Sequence, residues 1–130
     1  MDDIGEYMSS PVLFVDFQSS VQEAALFMQT HEVGSVLIQE LGEYVGLVTE
    51  TDLSRKVLSK GLNPDTTMVS DVMSQPIISI DKYLPVEMAN EMMIKKKIRH
   101  LVVTEENKVV GMLSVKDLVI FYAKDFRMQE

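Results

Sequence analysis

Gly46-Leu47-Val48-Thr49-Glu50-Thr51-Asp52-Leu53 ends an apolar run on a hydroxyl residue and sets an aspartate three positions later. Gly111-Met112-Leu113-Ser114-Val115-Lys116-Asp117-Leu118 does the same. Each string reads as a strand running into a helix N-terminus. The offset between them, 46 against 111, extends outward without a gap. Met8-Ser9-Ser10-Pro11 falls on Met73-Ser74-Gln75-Pro76, Asp16 on Asp81, Val21 on Val86, Ala24 on Ala89, Met28 on Met93 and Glu40 on Glu105. Between these identities, Val36-Leu37-Ile38 lies over Leu101-Val102-Val103. An ungapped register over about fifty residues is the mark of an internal repeat. The chain therefore divides into residues 1–65 and 66–130, with a polar stretch at 59–71 bridging the boundary and Gly61 and Pro64 as breakers.

Each copy reads as β-α-β-β-α. Pro11-Val12-Leu13-Phe14-Val15 and Pro76-Ile77-Ile78-Ser79-Ile80 are short apolar, β-branched runs, so strands. A helix follows each. Ser19 is expected at the first N-cap with Gln22 completing a capping box, and Pro85 at the first helical position of the second. Val21, Ala24, Ala25 and Met28 repeat on one helix face, and Val86, Ala89 and Met93 copy them. Two strands then flank a turn, at 35–39 and 44–48 and again at 100–104 and 109–113. Gly42 and Asn107 are the turn residues that tolerate positive φ. The last helices start near Thr49 and Ser114. The class is α/β (α+β): two pseudo-symmetric repeats packed through their sheets. A unit of about 65 residues is marginal alone, so the expectation is one body with a cleft where the halves meet.

Composition limits the function. The 130 residues carry 20 acidic and 12 basic side chains, a net charge of −8, with 46% hydrophobic residues. That is globular composition. The acidity argues against nucleic acid, which needs a basic face; a local exception would have to centre on residues 95–100. The acidic N-terminus is neither a signal nor a transit peptide, and no apolar run approaches a membrane span, so a cytoplasmic setting is expected. No cysteine is present, which removes disulfides, thiolate catalysis and thiolate metal sites. No metal-ligand spacing, nucleophile–base pair or glycine-rich phosphate loop is visible; catalytic and metal residues are expected to be none. The charge is uneven: residues 1–65 hold 11 acidic and 3 basic groups, residues 66–130 hold 9 and 9.

The Thr/Ser-x-x-Asp junctions admit two readings. They cap helices, the acid reaching back to the cap amide. The same geometry suits a ligand, because helix N-terminal amides favour a phosphate and a carboxylate one turn in accepts bonds from a ribose diol.

The repeated unit, the Met-Ser-x-Pro openings and the Gly-apolar-apolar-Thr/Ser-x-x-Asp-Leu endings resemble tandem cystathionine-β-synthase (CBS) domains, the pair called a Bateman module, over about residues 7–123. The resemblance implies a disk-like, often dimeric module. It also implies a sensor, not an enzyme, that binds AMP, ADP, ATP or S-adenosylmethionine and signals to a regulated protein. By position, Asp52 and Asp117 would accept ribose hydroxyls, and Thr49 and Ser114 would contact ribose or phosphate. Leu13 and Ile78 would line the base pocket, and Leu47 and Met112 would pack on base or sugar. Arg99 and His100 would meet phosphate, where the first copy has Gly34 and Ser35. Arg55, opposite Ile120, is a further candidate, or else part of a solvated face. Lys95, Lys96 and Lys97 also fit a helix C-terminus complementing its dipole. His31 fits a surface or cap role. Residues 118–123, apolar at every position, are either buried by the C-terminal tail or form a homodimer or partner surface, with Leu26, Phe27 and Met92 adding to it. The alternative function is a ligand-free interaction module in which the boxes only cap helices. The ligand, the occupied site, the partner and the dimer geometry are not specified by the sequence.

Overall fold

The computed structural model describes residues 2–128, with side chains described for 2–127. It divides into two compact units, Leu13–Ile77 and Met1–Val12 with Ile78–Glu130. They are called here the Asp52 unit and the Asp117 unit.

In the Asp52 unit β1 (Phe14–Asp16) leads through α1 (Val21–His31) to β2 (Ser35–Glu40) and β3 (Glu43–Thr49). The sheet order is β1-β2-β3, with β1 parallel and β3 antiparallel to β2. α2 (Glu50–Asp52) continues as one π-helical segment, Leu53–Leu58, and a short α3 (Val69–Val72) follows. The Asp117 unit repeats the scheme with β4 (Ser79–Asp81), α4 (Val86–Lys96), β5 (His100–Glu105), β6 (Lys108–Ser114) and α5 (Val115–Met128). A single 3-10 turn, Ile4–Glu6, stands where α3 stands in the other unit.

The expected periodicities set the cores. Val21, Ala24 and Met28 lie on one face of α1 and pack with Val36, Ile38 and Val48. Val86, Ala89 and Met93 of α4 pack with Leu101, Val103 and Leu113. Alternation along each strand delivers these sets to the helix-covered face. Each hairpin closes on two residues of positive φ, Leu41 with Gly42 and Glu106 with Asn107. Only such turns match the twist of a two-residue hairpin.

Three expectations shift. Pairing in the first strands starts at Phe14 and Ser79 rather than at the prolines, since proline offers no amide to a ladder. The cap of α1 is Ser20, not Ser19. The Ser20 hydroxyl accepts from the Glu23 amide at 3.1 Å, and the Glu23 carboxylate accepts from the Ser20 amide at 3.0 Å. A charged Glu beside the helix dipole outcompetes the neutral Gln22. Pro85 shifts likewise, to the N-cap of α4.

The third shift concerns the linker. Residues 59–71 are not all linker, because α3 seats Val69 and Val72 in the core of the Asp52 unit. The Val69 amide donates to Ser19 O at 2.9 Å, and Val21 N donates to Thr67 O at 2.8 Å. The same arm, one repeat earlier, serves the Asp117 unit: Ile4 is fully buried there and its amide donates to Leu84 O at 2.9 Å. Each arm then bridges a strand through paired amides and carbonyls, Ser74 with Leu47 and Ser9 with Met112. Gly46 and Gly111 make that approach possible. A β-carbon on Gly111 would lie 2.5 Å from the Met8 sulfur and 2.9 Å from Ser9 O; one on Gly46 would lie 2.5 Å from the Met73 sulfur.

Up to Met128 the C-terminal segment continues α5 rather than folding back over it, and residues 129 and 130 lie outside the described residues. Among the described residues no helix is long and apolar enough to cross a membrane.

Ile4→Ala is expected to lower stability by about 2–5 kcal/mol, as for a core isoleucine, read from the urea midpoint; a loss near zero would mean that the N-terminal arm is not seated. Gly111→Ala should cost about 1–3 kcal/mol through overpacking against Met8 and Ser9, measured the same way.

Candidate functional site

The hydroxyl–aspartate boxes lie where β3 and β6 hand over to helices. In the Asp52 unit Thr49 is the N-cap. Its hydroxyl accepts from the Asp52 amide at 3.2 Å, and its amide donates to Asp52 Oδ2 at 3.0 Å. In the Asp117 unit the Ser114 amide and hydroxyl donate to Asp117 Oδ2 at 2.8 and 3.2 Å. The capping box is thus reciprocal at Thr49, while at Ser114 the contacts described are those in which the carboxylate accepts from the cap residue.

Beyond the cap the two carboxylates differ. Asp52 is 4% exposed. Its Oδ1 accepts from the Ser74 hydroxyl at 2.9 Å and pairs with Lys56 Nζ at 2.9 Å. Its Oδ2 also accepts from the hydroxyls of Thr49, at 3.2 Å, and Ser74, at 3.1 Å. Lys56 donates in addition to Val72 O at 3.0 Å. Asp117 is half-buried, and among the described residues its hydrogen bonds are the two from Ser114.

The strand register determines which candidates meet. His100 pairs directly with Ser114, and the carbonyl of Arg99 accepts from Val115 N, the first amide of α5, at 3.0 Å. Arg99, His100, Ser114 and Asp117 therefore share one corner of the Asp117 unit, and Arg99 is exposed. At the matching corner Ser35 pairs with Thr49, and Gly34 O accepts from Glu50 N at 3.1 Å, so the strand entrance brings no counterpart of Arg99.

Leu47 and Met112 are half-buried, two residues before the hydroxyls and on the same strand faces as them. Leu13 and Ile78 are half-buried beside β1 and β4. Their carbonyls accept from Leu37 N at 3.0 Å and Val102 N at 3.1 Å. Leu37 pairs with Leu47 and Val102 with Met112, but the first-strand residues in those rows are Phe14 and Ser79, one place after Leu13 and Ile78, and Ile78 packs against the core of the Asp117 unit. Arg55 is exposed; the ion pair of Asp52 is with its neighbour Lys56.

Lys56 and Ser74 were not among the residues singled out in the sequence. The signal for Lys56 was its i,i+4 spacing from Asp52; Ser74 lay in the Met-Ser-x-Pro opening. Lys95 and Lys96 occupy the last turn of α4, and Lys97 caps it at φ 57°. His31 ends α1, its Nδ1 2.9 Å from Phe27 O and its ring against Phe27. Among the described residues no cluster of three or more His, Asp or Glu could hold a metal ion.

A second feature lies between α4 and α5. They border a groove of about 640 Å³ lined mainly by Met93, Ile94, Ile98, Val115, Val119 and Tyr122. Leu118 and Phe121 turn into the core, whereas Val119 and Ile120 are 62% and 52% exposed. Apolar residues therefore occupy both faces of α5. Leu26 is exposed on α1, and Met92 packs against the Asp117 core rather than outward.

The comparisons agree with this architecture. The CBS domain model matches twice, at residues 4–59 and 69–124. An uncharacterised protein of Methanopyrus kandleri is 36% identical over 118 residues, 89% of this chain and 60% of that protein, so the chain spans under two thirds of that relative's length. The crystal structure of an uncharacterised conserved protein from Pyrococcus horikoshii superposes with a TM-score of 0.87 at 32% identity, covering 94% of this chain and 95% of that one. A CBS domain protein from Pyrobaculum aerophilum complexed with AMP superposes with a TM-score of 0.81 at 26% identity, covering 90% of both chains. With its duplicated unit, its matched boxes and both halves covered by one family model, the chain belongs to the CBS domain family as a tandem pair.

Proposed function

We propose that this CBS pair is a regulatory module rather than a catalyst, and that it binds an adenosine-containing ligand, AMP, ADP, ATP or S-adenosylmethionine. The observation that carries the reading is the corner of the Asp117 unit. There a carboxylate with spare acceptor capacity, a serine hydroxyl, a helix N-terminus and two potential cations converge. A ribose diol needs acceptors, and a phosphate needs amide dipoles and local positive charge. In this reading Asp117 takes the ribose hydroxyls, Ser114 contacts ribose or phosphate, and Arg99 and His100 neutralise phosphate. Met112 packs on base or sugar, and Ile78 borders the base pocket through its backbone. Thr49, Asp52, Leu47, Leu13 and Arg55 are their counterparts or additions in the Asp52 unit. The AMP complex of the Pyrobaculum aerophilum protein supports the choice of ligand class. Signalling to a regulated protein would follow from differential affinity for two states of the module, which bounds the size of any response. The exposed side of α5 and the groove beside it fit a homodimer contact, since contiguous apolar surface marks interfaces.

A second reading, a ligand-free interaction module, is supported by the reciprocal capping box of Thr49 and Asp52. Titration calorimetry and thermal shift with the four ligands separate the two. At least one ligand is expected to raise the melting temperature at millimolar concentration, as mass action requires of any ligand selective for the folded state. Asp117→Ala should then weaken binding at least about tenfold, the loss of a charge-assisted hydrogen bond. No shift with any ligand, with Asp117→Ala costing only the about 0.5–2 kcal/mol of a cap, would establish the second reading.

Val119→Glu is expected to shift the chain toward monomer in sedimentation analysis; an unchanged mass would exclude α5 from self-association.

A further inference from the structure

We infer that Lys56 and Ser74 form an internal lock that closes the Asp52 box to ligands, so that the tandem pair has one adenosine site, built on Asp117. The inference rests on the adenosine reading above and narrows it.

An ionised carboxylate has about four lone-pair positions. Asp52 already meets four donor groups: the Thr49 amide and hydroxyl, the Ser74 hydroxyl shared between both oxygens, and the Lys56 ammonium. A ribose diol would have to displace the Ser74 hydroxyl and the Lys56 ammonium from a carboxylate whose side chain is 6% exposed. Lys56 is itself held in place by Val72 O at 3.0 Å. Moving it would leave that carbonyl short of a donor as well as the carboxylate short of its counter-ion. Unpaired buried groups of this kind are costly.

The repeat supplies an internal control. The residue matching Lys56 is Phe121, which is 4% exposed in the Asp117 core and packs edge-on to Tyr7 with centroids 5.4 Å apart. It cannot pair with an aspartate. Ser9 matches Ser74 and makes the same backbone bridge, to Met112, but its hydroxyl makes no bond to Asp117. Among the described residues both hydrogen bonds to Asp117 come from Ser114 and fall on Oδ2, so neither occupies Oδ1. The strand entrances differ in the same way: Arg99 and His100 adjoin the open box, Gly34 and Ser35 the closed one. A ribose diol thus meets a spare acceptor at the Asp117 box, whereas at the Asp52 box the acceptors are already taken.

The test is the stoichiometry of AMP binding by titration calorimetry. The full chain should bind one equivalent. Asp117→Asn should weaken it at least about tenfold. The double variant Lys56→Met, Ser74→Ala should gain a second equivalent. Lys56→Gln with Ser74→Ala, which keeps a polar stem, serves if the first double variant fails to fold by circular dichroism. Two equivalents in the unaltered chain, unchanged AMP affinity in Asp117→Asn, or a single equivalent in folded double variants would overturn the lock while leaving the nucleotide reading intact. No AMP binding by any of the proteins would overturn both.

Discussion

Each sheet of this molecule has a helix-facing side that its own repeat does not finish covering. The missing piece is an arm from the other copy. Ile4 enters the core containing Leu101 and Leu113, and Val69 enters the one containing Val36 and Val48. Sealing an apolar face this way is worth more than the few hydrogen bonds that accompany it, because a fully buried aliphatic side chain contributes about 1.5–3 kcal/mol. Much else is subordinate to that seating. The two strand glycines are bare because methionines of the arms lie over them. Ser74 reaches Asp52 because the arm runs antiparallel along β3 at Leu47. The site chemistry is thus set by how the core is completed.

The α4–α5 face follows a different logic. α5 must present Leu118 and Phe121 to the Asp117 core, yet Val119, Ile120 and Tyr122 are apolar too. A single helix cannot bury both sides against one sheet. The excess is confined to one unit, since the matching segment of the Asp52 unit reads Leu53-Ser54-Arg55-Lys56-Val57 and follows π-helical geometry. Two equivalent sequence positions have become a charged, locally paired segment in one copy and an apolar, outward-facing helix in the other.

Much of this was legible in the sequence. The hairpins, the two central helices and the hydroxyl–aspartate boxes follow from strict period-2 and period-3.6 patterns and from turn residues at fixed offsets. The arms were not legible. Each carries one or two apolar anchors in a polar stretch, and their partners lie far along the chain, as with Ile4 and Leu84. Local pattern carries no information at that range. The cap of α1 was misplaced by one residue because Ser19 and Ser20 both qualify, and only the Glu23 side chain decides between them. Lys56 escaped notice for the opposite reason. Aligning copies highlights positions that agree, whereas Lys56 matters because it faces a phenylalanine in the alignment.

The reciprocal arms have the topology of a domain-swapped pair of identical chains joined end to end. Unjoined, two such chains would complete their cores only above some protein concentration. Joined, the second arm is supplied at a fixed effective concentration, which for a short flexible connection lies in the millimolar range. The connection also breaks an obligation of symmetry. In a dimer of identical chains every substitution appears twice, so a lysine opposite one aspartate would stand opposite both. In the joined chain Lys56 and Phe121 occupy the same place in the repeat and do unrelated work, and one half is free to specialise in structure while the other keeps its chemistry exposed.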